Sequence, residues 1–481
     1  MLRSPIMRSI SVSILILTAW PLLAQETPTE REAARDVLHK MAGLEKSLDI
    51  PATVMRLTAA NPAREQVVAR AKELMDKELL ALSDDITKNP EIGFVEKRSV
   101  QKLKQYLEQH GFDVKVGAGG LETAFVARYM GNNGPPNLGV IVEYDALRGT
   151  TRPFHGDQHS AQGPVGMAAA VAIAEWLART KSPGSIIVFG TPGEEMMPPN
   201  AKTVMHKAHV FDGTDVIVRS HSFGTTLRAA PGFGTCCMNI DGVKYTFSGA
   251  PAHQLTAWAG RNALEAVIHL FENIDSVRSN MRPEARIQGV ITEGGAAPNV
   301  VPDRTAADFY IRYPDAIYLE QVRKFVDDAA KAAALSTGTK VKIDNYGQNR
   351  DGISVAMLDE VGFAYMKMYG AKKVQEEPGK PQGYEETGSV SSEIPGMGFE
   401  AYSSNFANHT YEMEADALTE IGHQGFRVDA RAMAAILFDF ATHPDYRAAV
   451  KREFDGIKAL FGEYQEALKK TYTLPRVPEP N

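Results

Sequence analysis

Cysteine is almost absent from this chain: there are two in 481 residues, Cys236 and Cys237, and they are adjacent. Neighbouring cysteines rarely bridge one another, so no disulfide framework is expected and stability must come from cores of ordinary size. A surplus of positive charge is lacking too. The formal net charge is −7 with no basic stripe, which argues against nucleic-acid binding. Repeats do not dominate, and 44% hydrophobic with 23% charged residues are ordinary globular values. Nor is there a long apolar run, since Ile10 to Leu23 is short and contains Pro21. With Arg3 and Arg8 ahead of it and Leu22-Leu23-Ala24 behind it, this run predicts a secretory signal peptide over 1–24, cut before Gln25. An uncleaved anchor is the alternative, and no cysteine near the cut suggests a lipoprotein. Removing Arg3 and Arg8 with the leader takes the net charge from −7 to −9. The expected mature protein is secreted into the periplasm and has no membrane span.

What is present is length and a recurring strand grammar. A chain of 481 residues exceeds what one core covers, so two domains are expected. Ser185 to Gly190 is a short apolar run, rich in β-branched residues, followed after Pro192-Gly193 by Glu194 and Glu195. It reads as a strand buried on both faces of a parallel sheet. Acids just past such a strand sit where open α/β sheets bind ligands. Gly139 to Glu143 repeats the pattern and runs into Asp145, with Asp157 and His159 a loop later. Asp215 to Arg219 repeats it again and runs into Ser220-His221. Three strands delivering acids or histidines at the same end predict one shared site.

Helices are expected over 64–87, 95–110 and 163–180, strands over 111–116 and 123–128, and a turn over 131–136. A partly helical preface occupies 25–61. Further on the order becomes strand 244–247, helix 261–278, strand 285–292, strand 304–313, helix 318–335 and strand 340–345. That β-α-β-β-α-β series is the split ferredoxin-like unit. The expected fold class is α/β, an α/β/α sandwich interrupted by an inserted ferredoxin-like domain. Its parts are the catalytic domain over 25–237 and 349–474, the insertion over 238–348, and a disordered tail over 475–481.

Asp157, His159, Glu195 and His221 offer two carboxylates and two imidazoles, the donors that Zn²⁺ and Mn²⁺ accept. Adjacent residues past a strand end are expected to point in different directions, so Glu195 can hold metal while Glu194 holds a water proton. His253, in Ser248 to His253, and His409, in Asn408-His409-Thr410, carry no signal of their own.

Taken in order, these stretches resemble the M20 metallopeptidase family, in its amidohydrolase branch of p-aminobenzoyl-glutamate and indole-acetyl-amino-acid hydrolases. The matching stretches are Asn89 to Phe94, Glu143 to Leu147, Gly190 to Glu195, Gly249 to His253, Ala297 to Pro302 with Arg312, and Asn408 to Thr410. The resemblance implies a Zn-peptidase-like sandwich whose insertion serves as lid and dimerisation domain of a homodimer. It implies two divalent metal ions, Zn or Mn, held by Asp157, His159, Glu195, His221 and His409. Glu194 would be general base and acid, Asp145 would orient a ligand, and His253 would stabilise the oxyanion, often across the dimer. Asn299 and Arg312 would engage a substrate carboxylate, for which the Arg fork is well shaped.

In that branch a Cys-Gly-His triplet supplies two ligands. Here Asp157-Gln158-His159 puts a carboxylate in place of a thiolate, which suits Zn²⁺ or Mn²⁺ and lowers oxidation risk outside the cytoplasm. Arg148 stands where the branch has Pro, and His155 is a rival ligand, so which of His155, Asp157 and His159 bind is open. The implied activity is hydrolysis of the amide of N-acyl amino acids, aminobenzoyl-glutamate-like compounds or small peptides by metal-activated water. The alternatives are an exported dipeptidase or carboxypeptidase, or a binding protein that has lost its metal pair.

Overall fold

The three apolar strands singled out by the sequence lie side by side and parallel, and they carry everything else. The computed structural model describes residues 28–196, 200–236 and 238–473. The expected signal segment and the expected disordered tail lie outside the described residues.

The chain opens with α1 (Pro28–Ser47) and α2 (Ile50–Leu57). Next, α3 (Pro62–Leu74) runs through a π turn into α4 (Leu80–Lys88), and α5 (Lys97–Gln109) follows. Strands β1 (Asp113–Val116), β2 (Phe125–Met130) and β3 (Asn132–Val142) precede α6 (His159–Thr180). Then come β4 (Pro183–Gly190), α7 (Ala201–Lys207), β5 (Val216–Ser220) and the short β6 (Gly232–Gly234).

The insertion holds β7 (Asn239–Ser248), α8 (Ala263–Val277), β8 (Arg286–Glu293), β9 (Arg304–Tyr313), α9 (Ala316–Thr337) and β10 (Lys340–Asn349). The chain returns through β11 (Gly352–Ser354), α10 (Ala356–Met368) and β12 (Gly396–Phe399). It closes with α11 (Tyr411–Ala417), α12 (Glu420–Thr442) and α13 (Pro444–Thr471).

The main sheet has the order β1-β2-β4-β3-β5-β12, parallel from β4 to β12 and antiparallel at β1 and β2. Side chains alternate between its faces. Val140, Val142, Ile186, Val188, Val216 and Val218 join α3, α6 and α12 in the larger core. Ile141, Ile187, Phe189 and Ile217 face Met205 of α7, Phe211, Tyr384 and Val390. Small residues let α6 lie close to the sheet. A Cβ on Gly166 would stand 2.6 Å from Val142 and 2.8 Å from Val140.

The insertion forms its own sheet, β10-β7-β9-β8, the ferredoxin-like order, with a core in which α8 and α9 pack on it. That core is not self-contained. Leu460, Tyr464 and Leu468 of α13 are buried in it, while Val450, Phe454 and Ile457 of the same helix are buried in the larger core. At the base of the insertion β6 pairs antiparallel with β11, tying the outgoing chain to the returning one.

Two expectations need correction. Of the stretch over 131–136, expected to be a turn, all but Gly131 is the first part of β3: Asn132 pairs with Pro183 before the register breaks and resumes at Asn137. The Pro135-Pro136 peptide there is cis. Prolines give no ladder N–H, but their fixed φ suits an extended chain, so the segment stays in line without full pairing. Cys236 is disulfide-bonded. Two cysteines can form only one link, so there is still no framework, but the expectation of no bridge fails; Cys237 lies outside the described residues.

At the carboxyl edge of β5, Ser220 donates its hydroxyl to Asp429 of α12 (2.7 Å), whose other oxygen accepts from Ala401 N–H (3.2 Å). Burial pushes the Asp429 carboxyl up to about 8. The folded state therefore keeps this proton at pH values where an unfolded Asp, near about 3.9, has lost it. Its contribution to stability is complete below the unfolded value and fades as pH rises toward the folded one. In Asp429→Asn the thermal midpoint should fall less steeply than in wild type across about pH 5 to 8. Gly166→Val should force α6 off the sheet and cost about 1–3 kcal/mol, read as a lower midpoint in urea.

Candidate active site

The site lies beyond the carboxyl ends of β3, β4 and β5. His159 opens α6 because Gln158 adopts a left-handed conformation (φ 55°), with its side-chain Nε2 donating to Met413 O at 2.7 Å. His409 is also left-handed (φ 65°), and its backbone N–H is held by Gly156 O at 3.0 Å. Strained non-glycine residues persist only where their surroundings over-determine them. Here Gln158 lies between two candidate ligands, Asp157 and His159, and His409 is itself one.

Asp145 is the hinge of the arrangement. One oxygen lies 3.0 Å from His159 Nδ1, and the other accepts from the Glu195 backbone N–H at 3.0 Å. His159 Nε2 is buried without a hydrogen-bond partner, as a ligand nitrogen backed by a carboxylate would be. Ligand atoms of Asp157, His159 and His221 all lie within 4.8 Å of one another, and so do those of Asp157, Glu195 and His409. The two groups share Asp157, a carboxylate able to bridge two cations. A third group joins His159, Glu194 and Glu195. His155 belongs to none of the three. These oxygen and imidazole donors, with their orphaned Nε2, fit a divalent metal pair.

The electrostatics are those of a pocket short of positive charge. Burial, with Arg219 nearby, holds the His221 pKa down to about 3, so the ring is neutral and free to coordinate. Burial works against a charged His159, but the Asp145 hydrogen bond and the Glu143 and Glu195 charges outweigh it, and its pKa lies well above the usual range. Burial raises Glu195, and the charges of Glu194, Asp157 and Asp145 add to that. Burial, with Glu143 and Asp145, pushes Glu194 up to about 7 against the pull of Lys202 and His159. So many acids in one place are held most easily by added positive charge.

Three predicted residues stand apart from these groups. His253 is exposed in the insertion, its Nδ1 accepting from Leu255 N–H at 3.1 Å. The backbone oxygen of Asn299, also exposed, accepts from Gln254 N–H at 3.1 Å, so the two residues are neighbours. Arg312 lies on β9 with its guanidinium 5.8 Å from the Tyr310 ring centre.

The structure also shows residues that sequence reading missed. Glu96 is fully buried and accepts from Gly193 N–H (2.8 Å) and the Thr123 hydroxyl (2.7 Å), which holds the loop ahead of Glu194. A Cβ on Gly193 would stand 2.4 Å from the Phe94 ring, and one on Gly93 2.6 Å from Gly193 Cα. The Asn89 to Phe94 motif is thus a buttress for the acid loop, and it was the available signal. Glu143 is buried against Lys202 and Arg219, and both of these also pair with Glu386. Beside them and Glu194 opens a cavity of about 90 Å³ that Asn200, Asn349 and Thr387 also line.

Comparisons with known proteins agree with this geometry. Residues 238–337 match the peptidase dimerisation domain of the M20 group. The chain is 28% identical to Xaa-Arg dipeptidase of Homo sapiens over 415 residues, 81% of this chain and 92% of that protein. It is 30% identical to one component of the p-aminobenzoyl-glutamate hydrolase of Escherichia coli over 278 residues, 54% of this chain and 56% of that protein. A dinuclear metal-binding M20 peptidase of Bacillus subtilis shares the fold at a TM-score of 0.53 and 16% identity, covering 76% of this chain and 99% of that one. The aminobenzoyl-glutamate utilization protein of Klebsiella pneumoniae does so at 0.52 and 18%, covering 74% and 98%. Residues 238–337 thus carry the dimerisation domain of the M20 group, and over much of its length the chain is similar to enzymes that act on peptide and amide bonds.

Proposed function

We propose that the protein hydrolyses the amide bond of a small substrate bearing a free carboxylate: an N-acyl amino acid, an aminobenzoyl-glutamate-like compound or a dipeptide. The observation that carries this reading is the pair of ligand groups sharing Asp157, with Glu194 beside them and its carboxyl poised near neutrality. Asp157, His159, Glu195, His221 and His409 would hold two Zn²⁺ or Mn²⁺ ions. Bound there, the metal supplies Lewis acidity that makes water a nucleophile near neutral pH and polarises the scissile carbonyl.

The chain's own residues do the rest. Glu194 takes the proton of the attacking water and returns it to the leaving amine. Asp145 keeps His159 in one tautomer and fixes the backbone of Glu195. His253 donates to the oxyanion from the insertion of a second copy in a homodimer, and Asn299 and Arg312 receive the substrate carboxylate. The expected leader over 1–24 would export the protein to the periplasm. The dipeptidase among its relatives favours peptides within the substrate class; the aminobenzoyl-glutamate hydrolase favours acyl amino acids. The two share an amide next to a carboxylate, and a panel of dipeptides and N-acyl amino acids separates them.

Glu194→Gln should keep its metal, by elemental analysis, and lose about 10²–10⁴ in kcat. Retained turnover would remove Glu194 from the chemistry. Arg312→Lys, which loses the planar fork, should raise KM about tenfold with little change in kcat in steady-state assays.

A further inference from the structure

Three buried charges and one partly buried one meet where four segments converge. Glu143 is fully buried, Lys202 is 2% exposed and Arg219 6%, while the Glu386 side chain is 16% exposed. Glu143 follows β3, Lys202 lies on α7, Arg219 is near the end of β5, and Glu386 comes from the loop before β12. Taking such ions out of water is costly, and well-packed apolar residues usually stabilise as well or better. A buried ionic cluster is therefore better explained by geometry it enforces than by stability.

The geometry in question is that of the ligands. Glu143 precedes Asp145 by two residues, Arg219 precedes His221 by two, and Lys202 follows the Glu194-Glu195 loop. One oxygen of Glu143 is taken by Lys202 and by Arg219 (3.4 Å). Its other oxygen, buried and without a hydrogen bond, lies 3.7 Å from His159 Nε2. The insertion is tied to the same point. Asn349, the last residue of β10, accepts from Asn200 Nδ2 at 3.1 Å, and Asn200 caps α7 through Thr203 N–H at 3.2 Å. Arg350 N–H donates to Thr387 O at 2.9 Å, next to Glu386.

We infer that Lys202 and Glu386 are positioning residues for the metal site. Their ion pairs hold the ends of β3 and β5 and the acid loop at the separation that lets the two ligand groups share Asp157, and they anchor the base of the insertion there. This inference rests on the proposed function, in which those groups bind metal.

The test compares purified wild type with Lys202→Met, Lys202→Arg and the charge-balanced Lys202→Met/Glu386→Gln. Zn²⁺ affinity is measured by chelator competition and thermal midpoints on the metal-free forms. Lys202→Met should bind Zn²⁺ about 10–100-fold more weakly, and Lys202→Arg should recover most of that loss. The double variant should regain the metal-free midpoint but not the affinity. Wild-type affinity in the double variant, or affinity that merely follows the midpoint across the series, overturns the inference alone. If wild type itself binds neither Zn²⁺ nor Mn²⁺, the proposed function fails and this inference with it.

Discussion

A single carboxylate sets the terms of the site. Asp145 grips His159 through one oxygen and the amide of Glu195 through the other, so an imidazole on α6 and an acid after β4 are registered to one atom group. Neither partner could do this for itself. His159 starts a helix, Glu195 sits in a loop after a strand, and only a residue from the neighbouring strand end reaches both. Because β3 and β4 are parallel neighbours, their carboxyl ends emerge together, and the hydrogen-bond ladder between them fixes the reach. A ladder buried on both faces hardly slips, because a one-residue shift would turn Val140 and Val142 away from α6.

The surrounding acids make sense only with that constraint in view. Glu96, Glu143, Glu194, Glu195 and Asp157 gather in one mostly buried region, and most are pushed toward their neutral forms or held charged by paired cations. A fold seeking stability alone would not collect them. Each either faces the shared Asp157 or braces a segment that does, so the cost of burial is tied to the geometry of the ligands.

Much of this was legible in the sequence because it is written locally. Continuous apolar runs such as Ser185 to Gly190 mark strands covered on both sides, and acids or histidines at their ends mark the rim. The insertion could be read from element order alone, since each strand and helix in it keeps its own period. Contacts between distant segments left no such trace. Lys202 and Glu386 are 184 positions apart, and nothing around either announces a buried ion pair. Glu96 and Thr123 look like ordinary surface residues until the Phe94 turn folds over Gly193. The cis Pro135-Pro136 segment was misread because its prolines signal a turn, whereas here they lie within an edge of β3 that pairs only in part.

One helix has a consequence for how the chain comes to exist. α13 lends its first half to the core of the sandwich and its second half to that of the insertion, and Tyr472, just past its end, donates to Asp315 at 2.8 Å. Those side chains are made more than a hundred residues after the insertion whose core they complete. During vectorial synthesis the insertion therefore keeps an open apolar flank until α13 has been made. Folding of the insertion is thus completed only when α13 docks, well after the insertion's own residues have been made.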